Sequence, residues 1–220
     1  ISRDKNMTKP IGIFGGTFDP IHYGHLRSAL ELKQILTLEQ IRFIPCQQPV
    51  HKSNVYANAK QRLEMLKLAT QSEPDFVIDP REVYRDTPSY MIETLSSLKQ
   101  DFTDIPLLLI MGSDAFAELP QWHQWDKLLN FCHIVIVMRP GHRLNLTPQM
   151  QQYLNTHNLA DANYLEKQLS GGIYVQSITA LDISATMIRA QLSANISPKF
   201  LLPEAVLSYI NQQNLYKEIF

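Results

Sequence analysis

The stretch IGIFGGTFDPIHYGH, residues 11–25, decides how the rest of the chain is read. An apolar run, IGIF, meets Gly15-Gly16, crosses a short polar loop and enters a helical pattern with His22 and His25 at its mouth. Glycines at a strand-to-helix turn let backbone N–H groups approach a ligand closely. The helix start adds unpaired donors and the positive end of a dipole, which together favour a phosphate. Two imidazoles three residues apart lie on neighbouring positions of one helical turn, and Gly24 between them leaves room for a ligand to press on the backbone. Imidazole can donate to a phosphate oxygen or offset charge as it develops.

Outward from that stretch, short apolar runs alternate with helical patterns. Strands are expected at 11–14, 41–45, 76–79, 106–112, 133–138 and 173–178, and helices near 24–36, 60–71, 89–99, 124–130, 184–193 and 203–213. LLLIM and IVIVM are apolar throughout rather than alternating, as strands covered on both faces must be. The alternation predicts an α/β fold, a doubly wound parallel sheet with helices on both faces. In such sheets the ligand crevice lies outside the carboxyl ends of the strands. Each predicted strand end is followed by polar or turn-forming residues: GGTFDP, QQPVHKS, REVYRDTPSY, GSDAF, RPGHR and ALDISATMIR. Residues 139–165 read as a loop plus helices inserted before the last strand.

Composition narrows the function classes. The 220 residues hold 20 basic and 21 acidic side chains, a net charge of −1, so nucleic acid is not an expected partner. Two cysteines, Cys46 and Cys132, make neither a disulfide framework nor a zinc spacing. ISRDKN at the N-terminus lacks a signal peptide's apolar segment, and no run is long enough to span a membrane. Met7 reads as the natural start with residues 1–6 a remnant ahead of it, and residues 7–220 as one domain of a soluble cytoplasmic protein.

GxxxxGK[ST] and GxGxxG are both absent, which weakens kinase and dehydrogenase readings. Asp19, His22 and His25 make a metal site an alternative, although HxxH is not the spacing of a zincin helix. A second signal is ISATMIR, residues 183–189: Ser184 or Thr186 suits a helix cap, and Arg189 lies where a guanidinium can fork onto phosphate.

Together, GGTFDPIHYGH and ISATMIR resemble the HxGH nucleotidyltransferases, whose fold is Rossmann-like. More narrowly, PVHKS (49–53), TPSY (87–90), MGSDAF (111–116), LPQWHQW (119–125), RPG (139–141) and LLPEAVLSYI (201–210) resemble the bacterial nicotinate-nucleotide adenylyltransferases. The resemblance implies transfer of AMP from ATP to nicotinate mononucleotide, with Mg²⁺ carried mainly by the ATP phosphates. It implies that Gly15, Gly16, Thr17 and Phe18 form a loop shared by both substrates, and that His22 and His25 meet the ATP phosphates. Ser184, Thr186 and Arg189 would hold the β- and γ-phosphates, with Ile183 bordering adenine. Lys52, Ser89, Tyr90, Gly112, Asp114, Trp122 and Arg139 would serve the mononucleotide, Asp114 near ribose and Trp122 stacked on the pyridine. One position departs from the pattern: Met91 stands where a threonine often helps to bind the nicotinate carboxylate. The competing readings are another HxGH transferase acting on pantetheine phosphate or a cytidylyl donor, a metal-dependent phosphohydrolase, and a noncatalytic nucleotide-binding module. Oligomeric state is left open.

Overall fold

The computed structural model describes residues 8–48, 55–85, 88–138, 141, 144–179 and 181–217. Among them six strands form one parallel sheet, in the order β3-β2-β1-β4-β5-β6. The strands are β1 (Ile11–Gly16), β2 (Gln40–Pro45), β3 (Phe76–Ile78), β4 (Leu107–Gly112), β5 (His133–Met138) and β6 (Ile173–Ser177). The helices are α1 (Tyr23–Ile35), α2 (Ala59–Thr70), α3 (Met91–Asp101), α4 (Ser113–Ala117), α5 (Pro148–His157), α6 (Tyr164–Lys167), α7 (Ala185–Ser193) and α8 (Glu204–Gln212). All six expected strands are present, and the order reverses between β1 and β4, a switch point of the kind where doubly wound sheets bind ligands. None of the described helices is long and apolar enough to cross a membrane.

The chain divides into two compact units, residues 1–14, 31–41 and 90–179 in one, and 15–30, 42–89 and 180–220 in the other. In the first, β4 and β5 are the strands whose unbroken apolar pattern demanded cover on both faces, and Leu107–Met111 and His133–Ile136 are indeed buried. Register along this edge runs Leu108↔His133 and Ile134↔Ile173, strand to strand in parallel. His133, the one polar residue of β5, is fully buried because both ring nitrogens are satisfied: Nε2 lies 2.8 Å from the Gln168 carbonyl, and Nδ1 accepts the Gly172 N–H at 3.0 Å. The segment before β6 holds α5, capped by Thr147 with Pro148 in its first turn, and the single turn α6.

In the second unit α2 starts with a capping box: the Asn58 side chain accepts the Gln61 N–H and the Gln61 side chain accepts the Asn58 N–H, each at 2.9 Å. Its inward face buries Leu63, Met65 and Leu66, and also an arginine, Arg62. The sequence left open which hydroxyl caps α7; it is Ser184, which accepts the Met187 N–H at 3.2 Å.

Candidate active site

The second unit holds the glycine loop, both histidines and the α7 arginine. After Gly16 the chain folds back through Phe18, whose φ of +51° is left-handed and disfavoured for a bulky residue. Packing overcomes that cost. The Phe18 ring is 3% exposed, meets Phe43 edge-on at 5.8 Å and His25 at 5.3 Å, and lies over Gly16, where a Cβ would come within 2.9 Å of its ring. The Phe18 side chain is thus committed to packing and buttresses His25.

His22 and His25 stack, with ring centroids 3.8 Å apart and planes 28° from parallel. His22 is 5% exposed and its carbonyl accepts the N–H groups of His25 and Leu26 at 3.0 and 3.2 Å, which starts α1. Gly24 has a different use from the one its position suggests. A Cβ there would stand 2.9 Å from Cε1 and Nδ1 of His22 and 3.2 Å from the Ile183 carbonyl oxygen. The space above Gly24 belongs to those groups, and the glycine lets the HxGH turn seat against ISATMIR.

Asp19 is the hub of this unit. Its carboxylate accepts the Tyr56 N–H at 2.9 Å, the Ala57 N–H at 3.2 Å and the Tyr216 hydroxyl at 2.6 Å. Burial first, and the Asp19 charge second, push the Tyr216 hydroxyl well above the usual tyrosine range, so it stays a donor. The backbone carbonyl of Asp19 accepts from Nη1 of Arg189 at 2.6 Å, and Nη2 of Arg189 donates to Thr186 Oγ1 at 3.3 Å. The same guanidinium lies 4.8 Å from the centre of the Tyr56 ring. Arg189 is thus held by a backbone carbonyl, a hydroxyl and a ring. The Asp19 carboxylate, for its part, is engaged by three protein donors. Among the described residues no group of three His, Cys, Asp or Glu side chains is placed to hold a metal ion.

Sequence reasoning missed Arg62, Tyr56 and Tyr216. Arg62 is fully buried and reaches three carbonyls: Nε to Ala57 at 3.1 Å, Nη1 to Thr17 at 2.7 Å and Nη2 to Gln47 at 2.8 Å. The available signal was a charge on the apolar stripe of α2, beside Leu63 and Leu66. Cys46 completes the cluster: its N–H donates to the Gly16 carbonyl at 3.1 Å, and its thiol lies 3.9 Å from Thr17 Oγ1. Burial raises the pKa of that thiol, against the Arg62 charge. Ser89 also belongs to this unit, its hydroxyl accepting the Gln47 N–H at 3.1 Å.

The first unit carries Tyr90, Gly112, Asp114 and Trp122, four of the residues expected to serve the mononucleotide. Gly112 ends β4 and caps α4, and the place its side chain would fill is open space. Asp114 follows, exposed in the first turn of α4. Trp122 is half-buried at the end of the 3₁₀ turn Leu119–Gln121, whereas Trp125 packs edge-on against Tyr153 at 4.9 Å. The Tyr90 ring lies 4.5 Å from that of His123. Tyr90 is the N-cap of α3 without a side-chain bond to the helix, so the helix opens on backbone N–H groups, with Met91 as its first residue. Lys52 and Arg139 lie outside the described residues.

Comparison with known proteins agrees with these motifs. The family model described as cytidylyltransferase-like matches residues 13–191. A probable nicotinate-nucleotide adenylyltransferase of Aeromonas salmonicida is 43% identical, the match covering 96% of this chain and 99% of that protein. The corresponding protein of Methylococcus capsulatus is 44% identical over 94% of this chain and 99% of its own. Among solved structures, Plasmodium falciparum nicotinic acid mononucleotide adenylyltransferase complexed with NaAD superposes with a TM-score of 0.72, at 19% identity, over 95% of this chain and 98% of that one. That superposition supports the fold, and the sequence matches carry the kinship: the chain belongs to the cytidylyltransferase-like family and, within it, to the nicotinate-nucleotide adenylyltransferases.

Proposed function

We infer that this chain transfers the adenylyl group of ATP to nicotinate mononucleotide, giving deamido-NAD and pyrophosphate, with residues 7–220 acting as one nucleotidyltransferase domain. The observation that carries the chemistry is the cluster in the second unit, where the stacked His22–His25 pair shares a frame with Arg189, held by the Asp19 carbonyl and the Tyr56 ring. Such a cluster offers several donors to phosphate oxygens and no activated nucleophile.

The mononucleotide phosphate is already ionised at neutral pH and attacks the α-phosphorus of ATP in line, so no general base is needed. The protein's part is to position two anions and offset charge on the α-phosphate and the departing pyrophosphate. His22 and His25 donate to oxygens at the reacting centre. Arg189, Thr186 and Ser184 hold the β- and γ-phosphates, Ile183 borders adenine, and the backbone of Gly15–Phe18 meets phosphates of both substrates. Mg²⁺ would accompany ATP, held mainly by its phosphates with few protein ligands, and would offset their charge.

On the acceptor side, Gly112 and Asp114 take the ribose and Trp122 stacks on the pyridine. With Met91 in place of a hydroxyl residue, the carboxylate is met by N–H groups opening α3 and by Ser89, whose oxygen accepts from Gln47 and whose own proton is left to donate. The family resemblance assigns Lys52 and Arg139 to the mononucleotide as well.

Pyrophosphate release from Mg-ATP, measured with nicotinate or nicotinamide mononucleotide as acceptor, tests this reading. Release is expected with both mononucleotides absent at background only, and fastest with the acid. Release without any acceptor would favour a phosphohydrolase, and release with phosphopantetheine alone would favour another HxGH transferase.

A further inference from the structure

We propose that Arg62 is a positioning residue for adenylyl transfer, fixing the glycine loop so that the N–H groups of Thr17 and Phe18 face the phosphates; this rests on the function inferred above. Arg62 belongs to none of the motifs that mark the family resemblance. Burying a guanidinium costs far more than burying the leucine or methionine that would fill the same space in α2. Its three bonds go to carbonyls of Thr17, Gln47 and Ala57, and so to three separate segments of the chain.

Peptide geometry turns that clamp into a statement about donors. In a trans peptide the carbonyl and the following N–H point in opposite directions. The Gly16 carbonyl accepts from the Cys46 N–H at 3.1 Å and the Thr17 carbonyl from Arg62 Nη1 at 2.7 Å. Both acceptors point into one cluster, since Arg62 Nη1 also lies 3.8 Å from Cys46 Sγ. The N–H groups of Thr17 and Phe18 therefore point away from it, on consecutive residues of a turn whose second member has a φ of +51°. Successive N–H groups turned to one side make a concavity suited to an anion. Arg62 reaches the phosphate through the peptide it holds, without touching substrate.

The test compares Arg62→Met, Arg62→Lys and, as a control on the same buried face of α2, Leu66→Ala. Arg62→Met is expected to lose about 100-fold in kcat, the scale of one misplaced oxyanion donor. Both KM values should stay within about threefold, because the loss falls on charge that develops in the transition state. Arg62→Lys, which keeps the charge and reaches fewer carbonyls, should fall between. Leu66→Ala should lower melting temperature while keeping kcat per folded molecule. Near-normal kcat in Arg62→Met, or an equal kcat loss in Leu66→Ala at matched destabilisation, overturns the proposal. If Arg62→Met does not fold, Arg62→Lys decides: wild-type kcat in it overturns the proposal, and a tenfold or greater loss (roughly) upholds it. A second readout is independent of turnover. The ¹⁵N–¹H signals of Thr17 and Phe18 should shift with inorganic tripolyphosphate in the wild type and by a smaller amount in the arginine variants. An inactive wild type that still shows this difference would sink the functional reading alone; equal shifts in all variants would sink the role of Arg62 alone.

Discussion

Replacing Tyr216 by phenylalanine removes one oxygen from the tie between the C-terminal turn and the catalytic loop, and leaves the ring in place. Tyr216 is 4% exposed, and its hydroxyl donates to Asp19 at 2.6 Å, the length of a hydroxyl–carboxylate bond with charge assistance. Hydrogen bonds to charged groups contribute about 1.5–3 kcal/mol. Asp19 keeps two backbone N–H donors in the variant, so the loss should sit at the lower end, about 1.5–2 kcal/mol, or about 3–8 °C in melting temperature for a chain of this length. The same bond predicts an alkaline signature. Burial and the Asp19 charge keep the phenol protonated in the folded protein beyond the pH at which it ionises when unfolded. Above about pH 10 the unfolded chain therefore holds fewer protons, and stability falls as pH rises, by up to about 1.36 kcal/mol per unit from this group. Tyr153, whose pKa is pushed up to about 12, contributes a similar slope in both proteins. Urea melts of wild type and Tyr216→Phe from about pH 8 to about pH 11 measure both effects. A stability loss under about 0.5 kcal/mol near neutrality, or the same alkaline slope in both proteins, would refute the account of the Asp19 hub.

Other parts of the structure make equally definite claims. Gly24→Ala would drive a Cβ into the His22 ring and against the Ile183 carbonyl, so kcat should fall about 10- to 100-fold with a much smaller change in melting temperature; unchanged turnover would show the ring placement to be irrelevant. His133 is held neutral, its pKa lowered by burial, and protonation would displace the Gly172 N–H from Nδ1. The unfolded chain takes up that proton first, so stability should fall as pH drops below about 6.5 until the folded pKa is reached, and His133→Gln should flatten that slope in pH-dependent melts. Cys132 is fully buried with its thiol pKa pushed up to about 12, so a thiol reagent near neutral pH should leave it unmodified until the chain is unfolded.

The sheet was legible because parallel strands covered on both faces leave a pattern that survives without its context. HIVIVM matches β5 residue for residue, and the strand expected at 106–112 begins one residue before β4. The glycine loop and the start of α7 were legible because glycines and a helix cap write their geometry locally. What escaped is tertiary. Arg62 reaches backbone carbonyls, the Tyr56 N–H and the Tyr216 hydroxyl a carboxylate, and the Tyr56 ring a guanidinium, at separations the pattern cannot reveal, and α4 is too short to show a helical period. Gly24 was correctly singled out, but only the packed structure shows that His22 and Ile183 take the space. The two tryptophans look alike in LPQWHQW, and it is the Tyr153 contact that commits Trp125 to packing.

The central claim is that the chain breaks the bond between the α- and β-phosphates of ATP and hands the AMP moiety to an acceptor phosphate. Incubation with α-³²P-labelled ATP, Mg²⁺ and nicotinate mononucleotide reads this directly. The account predicts label in deamido-NAD with unlabelled pyrophosphate released in equal amount. Label in free AMP or ADP, with none in the dinucleotide, would contradict it.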